Sequence, residues 1–304
     1  MKNSTRKVPK KNWLVIILII VFLFLLGSGV YASVVYYNAK NTINNKIYSP
    51  VEAINPNDSK NKIKAAGALN ILLMGVKKED GKESTDVMMI LSLEPEKDTM
   101  RLISVPRSTR TQIADGNIND RVSNAYMYNG VEGSVSAMEN FLEVDIDYYV
   151  SMNMTGFEEF IDELGGITVE NDMEWNDGTY SFKEGLIDLD GDKASHFVRD
   201  REEDPNQNFG RTKRQRKVVQ GVISRGARVG TVPKVNKLIH TLGRNMAANL
   251  DFDDIKKLLT KYKNTRKNII NYYIEGNETY IDGESYLIVP EDERQKVHDM
   301  LTNG

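Results

Sequence analysis

Residues 69–105 read LNILLMGVKKEDGKESTDVMMILSLEPEKDTMRLISV, and this stretch decides the fold. Three short apolar runs, 69–76, 86–93 and 100–105, are bounded by glycine, proline or charged residues. Runs of this kind suit strands buried on one or both faces. Further along, 134–142 (SVSAMENFL) repeats Val135, Met138, Phe141 and Leu142 at helical spacing, and 148–153 (YYVSMN) reads as another strand. Thr155 and Glu158 predict a capping box for a helix with Phe157, Phe160, Ile161 and Leu164 on one face. Gly165-Gly166 stops that helix, and 167–170 follows as a strand. Beyond residue 230 the pattern predicts helices over 233–248 and 252–264, strands over 268–274 and 284–289, and a closing helix over 291–301. Interleaved strands and helices indicate a layered α/β domain, here 68–302, with no internal repeat and no linker.

Upstream the chain changes character. Residues 1–12 carry Lys2, Arg6, Lys7, Lys10 and Lys11 without an acid, and no charge follows from Asn12 to Ala39. The apolar run is long enough for a transmembrane helix, read over 13–37, since about 20 helical residues cross a bilayer core. The basic tail stays cytoplasmic, so everything after Tyr37 is predicted to be exported, with Tyr36 and Tyr37 at the interface. A cleaved signal peptide is the alternative, with Val30-Tyr31-Ala32 as its cleavage sequence, but the apolar region exceeds a typical signal core. Residues 38–67, polar and Asn-rich, read as a stalk, with a helical continuation of the span as an option at its start; as coil it would reach on the order of 30 Å.

Setting the five basic tail residues aside leaves 35 Lys+Arg against 43 Asp+Glu, about −8 for the exported part. That balance opposes a general nucleic-acid binder. The chain has no cysteine, so no disulfide framework holds it and no thiolate acts in it, which suits a Gram-positive surface protein. Its three histidines, His196, His240 and His298, are too far apart to suggest a zinc site or a serine–histidine–acid triad.

Three patches carry chemistry. Arg107, in SVPRST (104–109), follows a predicted strand, where ligands of open α/β sheets bind. Arg121 lies in DRVSNAY (120–126), a polar loop entering a helix. In VRDREEDPNQNFGRTKRQR (198–216), Arg199 and Arg201 are spaced to share one side of an extended stretch. A helix follows in which Arg211, Arg214, Gln215 and Val218 share a face, with Lys213, Arg216 and Lys217 on the other. Guanidinium forks match phosphate oxygens bidentately, so converging arginines suit a pyrophosphate. Bound pyrophosphate brings Mg²⁺, for which Asp86 is the candidate carboxylate, with Glu79, Asp80 and Asp200 as others.

NILLMG (70–75), STD (84–86), SVPRST, DRVSNAY, FEEFIDELGGITV (157–169) and the 198–216 run, in this order behind an anchor, resemble the LytR-CpsA-Psr family of cell-wall proteins. The resemblance implies a three-layer α-β-α sandwich around a central mixed sheet, with a long apolar pocket for a polyprenyl chain. It implies transfer of a teichoic-acid- or capsule-type glycopolymer from an undecaprenyl-pyrophosphate carrier to peptidoglycan, assisted by Mg²⁺, at the membrane and without nucleic acid. Carried over by motif, Arg107, Asp86 and Arg121 are catalytic, Asp86 is also metal-proximal, and Arg199, Arg201, Arg211, Arg214 and Gln215 bind pyrophosphate.

This chain departs from the family pattern at four places. Val76-Lys77-Lys78 stands where an Asp usually follows the first strand, and Glu83-Ser84 where an Arg usually precedes the S/T-D pair. Ser108 replaces an Asp, and Asn208 another. A relative that holds the lipid carrier and regulates envelope assembly without efficient transfer is therefore the second reading.

Overall fold

A computed structural model describes residues 33–79, 81–114, 118–199, 207–226 and 232–302. The first helix, α1, runs over 33–42 and continues into a π-helical turn, Ile43–Ile47. Helix α2 (Pro56–Ala65) leads into a long hairpin, β1 (Leu69–Glu79) and β2 (Lys82–Glu94), and then β3 (Thr99–Ser104). A small hairpin, β4 (Arg110–Ala114) and β5 (Ile118–Arg121), precedes α3 (Ala125–Leu142), β6 (Tyr148–Asn153) and α4 (Met154–Leu164). An outlying unit follows: β7 (Ile167–Asn171), β8 (Trp175–Asn176), β9 (Ser181–Phe182), β10 (Gly185–Leu189) and α5 (Gly191–Arg199). Helices α6 (Gln207–Gly226) and α7 (Val232–Asn245), β11 (Met246–Ala248) and α8 (Phe252–Lys261) return to the main sheet. The chain closes with β12 (Asn268–Tyr273), the hairpin β13 (Asn277–Ile281) and β14 (Glu284–Ile288), and α9 (Glu291–Thr302).

The central sheet has the order β11-β6-β1-β2-β3-β12. Strand β1 is parallel to β6 and β3 to β12, whereas β2 and β11 run antiparallel to their neighbours. The sheet is therefore mixed, and β1, β3, β6 and β12 all point their carboxyl ends to one edge. Alternation along the strands feeds two cores. Leu72, Met74, Met88, Ile90, Ile103 and Tyr149 pack on one face with Val135, Met138 and Phe141 of α3 and Val297 and Leu301 of α9. Leu69, Ile71, Leu93, Met100 and Tyr148 pack on the other with Ile43, Ile47 and Ile63, and with Ile255 and Leu258 of α8. Helices cover both sides of the sheet, as the α/β expectation requires. A third core, with Ile161, Trp175, Phe182 and Phe197, holds the outlying unit.

Four readings of the sequence change. The segment read as a stalk begins in helix α1, in line with the helical start read for it, but its remainder is not coil: it forms a π-helical turn and α2, with Ile43, Ile47, Ile54 and Ile63 buried. These isoleucines are too widely spaced to give a visible apolar period, yet each plugs the sheet. The stretch ending at Arg199 is helical, because Ala194, Phe197 and Val198 form the buried face of α5. The cap of α4 is Asn153, whose side chain accepts from Gly156 N at 2.7 Å, two residues before the expected Thr155. The predicted helix 233–248 stops at Asn245, because Met246–Ala248 adds an edge strand to β6. Residues 13–32 of the predicted span lie outside the described residues, and 33–37 belong to α1. Among the described residues no helix is long and apolar enough to cross a membrane.

Candidate functional site

The site is built at the carboxyl edge of the sheet. In the β1–β2 ladder Gly75 pairs with Val87 and Val76 with Thr85, so Asp86 is an extra residue in a bulge. A bulge turns its residue out of the ladder and re-aims it. Asp86 thereby meets Arg107, whose Nη1 lies 2.9 Å from Asp86 Oδ1, and Lys77, whose Nζ lies 3.7 Å from the same oxygen. Arg107 is placed by a turn directly after β3: Thr109 N donates to Pro106 O at 3.0 Å, and Ser123 N donates to Arg107 O. The side chains of Asp86 and Arg107 are each about one-third exposed, so the pair is held yet reachable.

Helix α6 brings the second group. Arg211, Arg214, Gln215 and Arg216 are 5–9% exposed, and Val218 is buried too. Arg216 was expected on the outward face. It instead points inward, with Nη1 donating to Ser104 Oγ at 3.0 Å and its guanidinium 6.0 Å from the Tyr273 ring. The reason is that α6 is wedged between the outlying unit and the sheet, so it has two buried arcs rather than one. Burial lowers the Arg216 pKa, opposed by Tyr273; burial first, and then Glu278, raise that of Tyr273 against the charges of Arg216 and Arg211. Ser104 and Tyr273 end the parallel strands β3 and β12. Arg216 therefore reaches the strand-end edge that also carries Arg107.

The other arginines have different settings. Arg214 turns to the opposite arc, donating from Nε to Phe197 O at 2.8 Å with its guanidinium 4.9 Å from the Trp175 ring. Arg121 reaches the β13–β14 hairpin, where Nε donates to Ser285 O at 3.0 Å, Nη2 pairs with Glu284, and the guanidinium stands 5.5 Å from Tyr286. Arg199 is exposed at the end of α5. Arg201, Asp200 and Asp80 lie outside the described residues, as does the side chain of Glu79. Lys77, Ser104, Arg216 and Tyr273 join the site although sequence spacing assigned them no role or a minor one.

Next to this edge, Leu73, Leu91, Val150, Ile223, Leu242 and Met246 are only partly buried within one apolar cluster. Among the described residues no group of three or more His, Asp or Glu side chains is arranged to hold a metal. Asp86 is the acid within the arginine group, and Mg²⁺ shared with a phosphate ligand needs only one or two protein carboxylates. The donor set fits such an ion.

The fold and site together define a mixed-sheet α/β protein with cations gathered at its parallel strand ends. The LytR_cpsA_psr family model matches residues 30–303, and the chain belongs to that family. Bacillus licheniformis TagU, a polyisoprenyl-teichoic acid–peptidoglycan teichoic acid transferase, is 35% identical over 287 residues, 94% of this chain and 93% of that protein. The crystal structure of B. subtilis TagU is 31% identical and covers 78% of this chain and 96% of that chain, with a TM-score of 0.65. An Enterococcus faecalis structure described as a transcriptional regulator is 28% identical and covers 79% of this chain and 88% of that chain, with a TM-score of 0.72.

Proposed function

We propose that this protein transfers a teichoic-acid-type glycopolymer from an undecaprenyl-pyrophosphate carrier to peptidoglycan, outside a membrane to which the span read over 13–37 anchors it. The observation that carries the reading is the Arg107–Asp86–Lys77 group at the strand ends, with Arg216 and Arg211 beside Tyr273. The activity for which the B. licheniformis relative is named agrees with it. Arginines match the pyrophosphate oxygens, and the half-buried apolar side chains from Leu73 to Met246 offer the polyprenyl chain a surface.

In the reaction an acceptor hydroxyl attacks the sugar-bearing phosphorus, and its proton passes to the departing polyprenyl phosphate. The bond from that phosphorus to the bridging oxygen breaks, a phosphodiester forms, and polyprenyl monophosphate leaves. Phosphoryl transfer depends mostly on positioning and charge stabilisation, so no covalent nucleophile is required. Arg107 orients Asp86 and faces the charge that builds on the phosphoryl oxygens. Mg²⁺, when bound at Asp86 with the pyrophosphate, supplies further charge neutralisation.

The test is product formation by the full chain given lipid-pyrophosphate glycan, peptidoglycan acceptor and Mg²⁺. Arg107→Ala is expected to lower turnover by about 10²–10³-fold, the usual effect of removing one charge-stabilising donor. Unchanged turnover in that variant would remove the site. Tight lipid-pyrophosphate binding with no product in the parent chain would establish the binding-only reading, which the Lys77 pairing with Asp86 favours.

A further inference from the structure

Helices α1 and α8 lie side by side on the face of the sheet opposite α3 and α9. The Tyr36 ring meets Phe252 edge-on at 5.1 Å and Tyr37 at 5.8 Å, and Lys256 Nζ lies 5.7 Å from the Tyr36 ring and 5.4 Å from that of Phe252. Phe252, Lys256 and Leu259 recur at helical spacing, so they share the arc of α8 that Tyr36 touches. These apolar groups are not sealed in the core. Tyr37 is 69%, Leu259 71%, Val34 49% and Tyr36 42% exposed.

The charge around them is mostly positive. From Asp251 to Lys267 six cations stand against the carboxylates of Asp251, Asp253 and Asp254, and Lys40 of α1 and Lys46 of the π-helical turn add to the excess, in a chain of net charge −3. Lys256 is paired with Asp253 at 2.7 Å and Lys60 with Asp251 at 3.0 Å, while Lys261 Nζ donates to the backbone carbonyl of Lys64. Tyrosine, phenylalanine and leucine ringed by lysine is the composition of a helix face that lies in a membrane interface. In the sequence the 20 residues before Ser33 carry no charge.

We propose that α1 and α8 form a docking face for the anionic phospholipid headgroups of the outer leaflet. The inference rests on the anchor reading given under Proposed function, and deepens it: the folded domain does not hang free but lies against the bilayer along one defined face. Docking fixes the height and tilt of the strand-end edge relative to the lipid carrier. Helices α3 and α9, on the far face of the sheet, then point toward the wall.

The chain has no cysteine, so Leu259→Cys gives a single labelling position on an exposed side chain, and Asn140→Cys, exposed on α3, gives the far-side control. Each full-length variant, labelled with a fluorophore, is placed in phosphatidylglycerol vesicles containing lipids with a nitroxide near the headgroup. Quenching at position 259 is expected to be several-fold stronger than at 140. It should fall toward the control when Lys256, Lys261 and Lys263 are each changed to Glu, with thermal melting showing those variants folded. Equal quenching at 259 and 140 in protein that floats with the vesicles overturns the docking face and leaves the anchor standing. Protein that fails to float overturns the anchor and the face together. Quenching that survives the three charge reversals overturns the anionic headgroup as the partner.

Discussion

The guanidinium of Arg214 donates from Nε to Phe197 O and stands over the neighbouring Trp175 and Phe197 rings. It fastens α6 to the outlying unit through a charged hydrogen bond and cation–π contact. Together these are worth roughly 2–4 kcal/mol in a site this buried. Arg214→Ala is expected to lower unfolding stability by that amount in a denaturant titration, before any effect on ligand. The sequence marked Arg214 and Arg216 as arginines of one helix but could not say which arc each would face. A helix packed on one side buries one stripe; α6 is packed on two, and only the tertiary neighbours reveal that. Arg107 was legible because a strand end is a position that local sequence does define.

Helix α5 illustrates the same point at the scale of an element. Its alternating Arg199 and Arg201 suggested extension, yet Ala194, Phe197 and Val198 had already set a helical period. Gly191 opens that helix against α4, where an added Cβ would collide with Glu158 O, a backbone atom that cannot swing aside. Gly191→Ala is therefore expected to cost about 1–3 kcal/mol, the range of overpacked sites, and to lower the melting temperature measurably. The strands of 69–105 were readable because each is buried along most of its length. Strand β14 was read at 284–289, whereas its partner β13 and the β4–β5 hairpin escaped notice because they are short and half exposed, so composition hardly separates them from loops.

For the whole molecule, the N-terminal boundary and the response to pH follow from burial. A chain beginning at residue 68, the boundary that sequence suggests, would lack Ile43, Ile47, Ile54 and Ile63 and expose the Leu69–Ile71–Tyr148 face. Each such isoleucine contributes about 1.5–3 kcal/mol, against a total domain stability of about 5–15 kcal/mol. That shortened chain is expected to aggregate or melt without cooperativity, whereas removal of 1–32 should leave a sharp calorimetric transition. Burial raises the carboxyl pKa of Glu139 against the Ile146 N–H, of Asp147 against Lys62 and the Asn70 N–H, and of Asp254 together with the Asp251 charge. A carboxyl raised in the folded state binds its proton more tightly there than in the unfolded chain. Its stabilising contribution is complete below about pH 4 and is lost as pH rises through the folded value. Asp253, held low by Lys256, acts in the opposite sense only below about pH 4. The urea midpoint is thus expected to fall as pH rises above about 4, and Asp254→Asn should flatten that fall.

The bulge at Asp86 divides the long hairpin into two independent halves. Inside it, β1 and β2 are locked in phase with both cores. Beyond it the alternation is reset, so Thr85 turns inward and donates to Ser123 O while Lys77 can approach Asp86. Residues 76–84 can therefore change in charge and identity without disturbing the phase of the strands beneath. Val76-Lys77-Lys78, standing where the family resemblance leads an acid to be expected, is a sequence the fold accepts with Asp86 and Arg107 still paired.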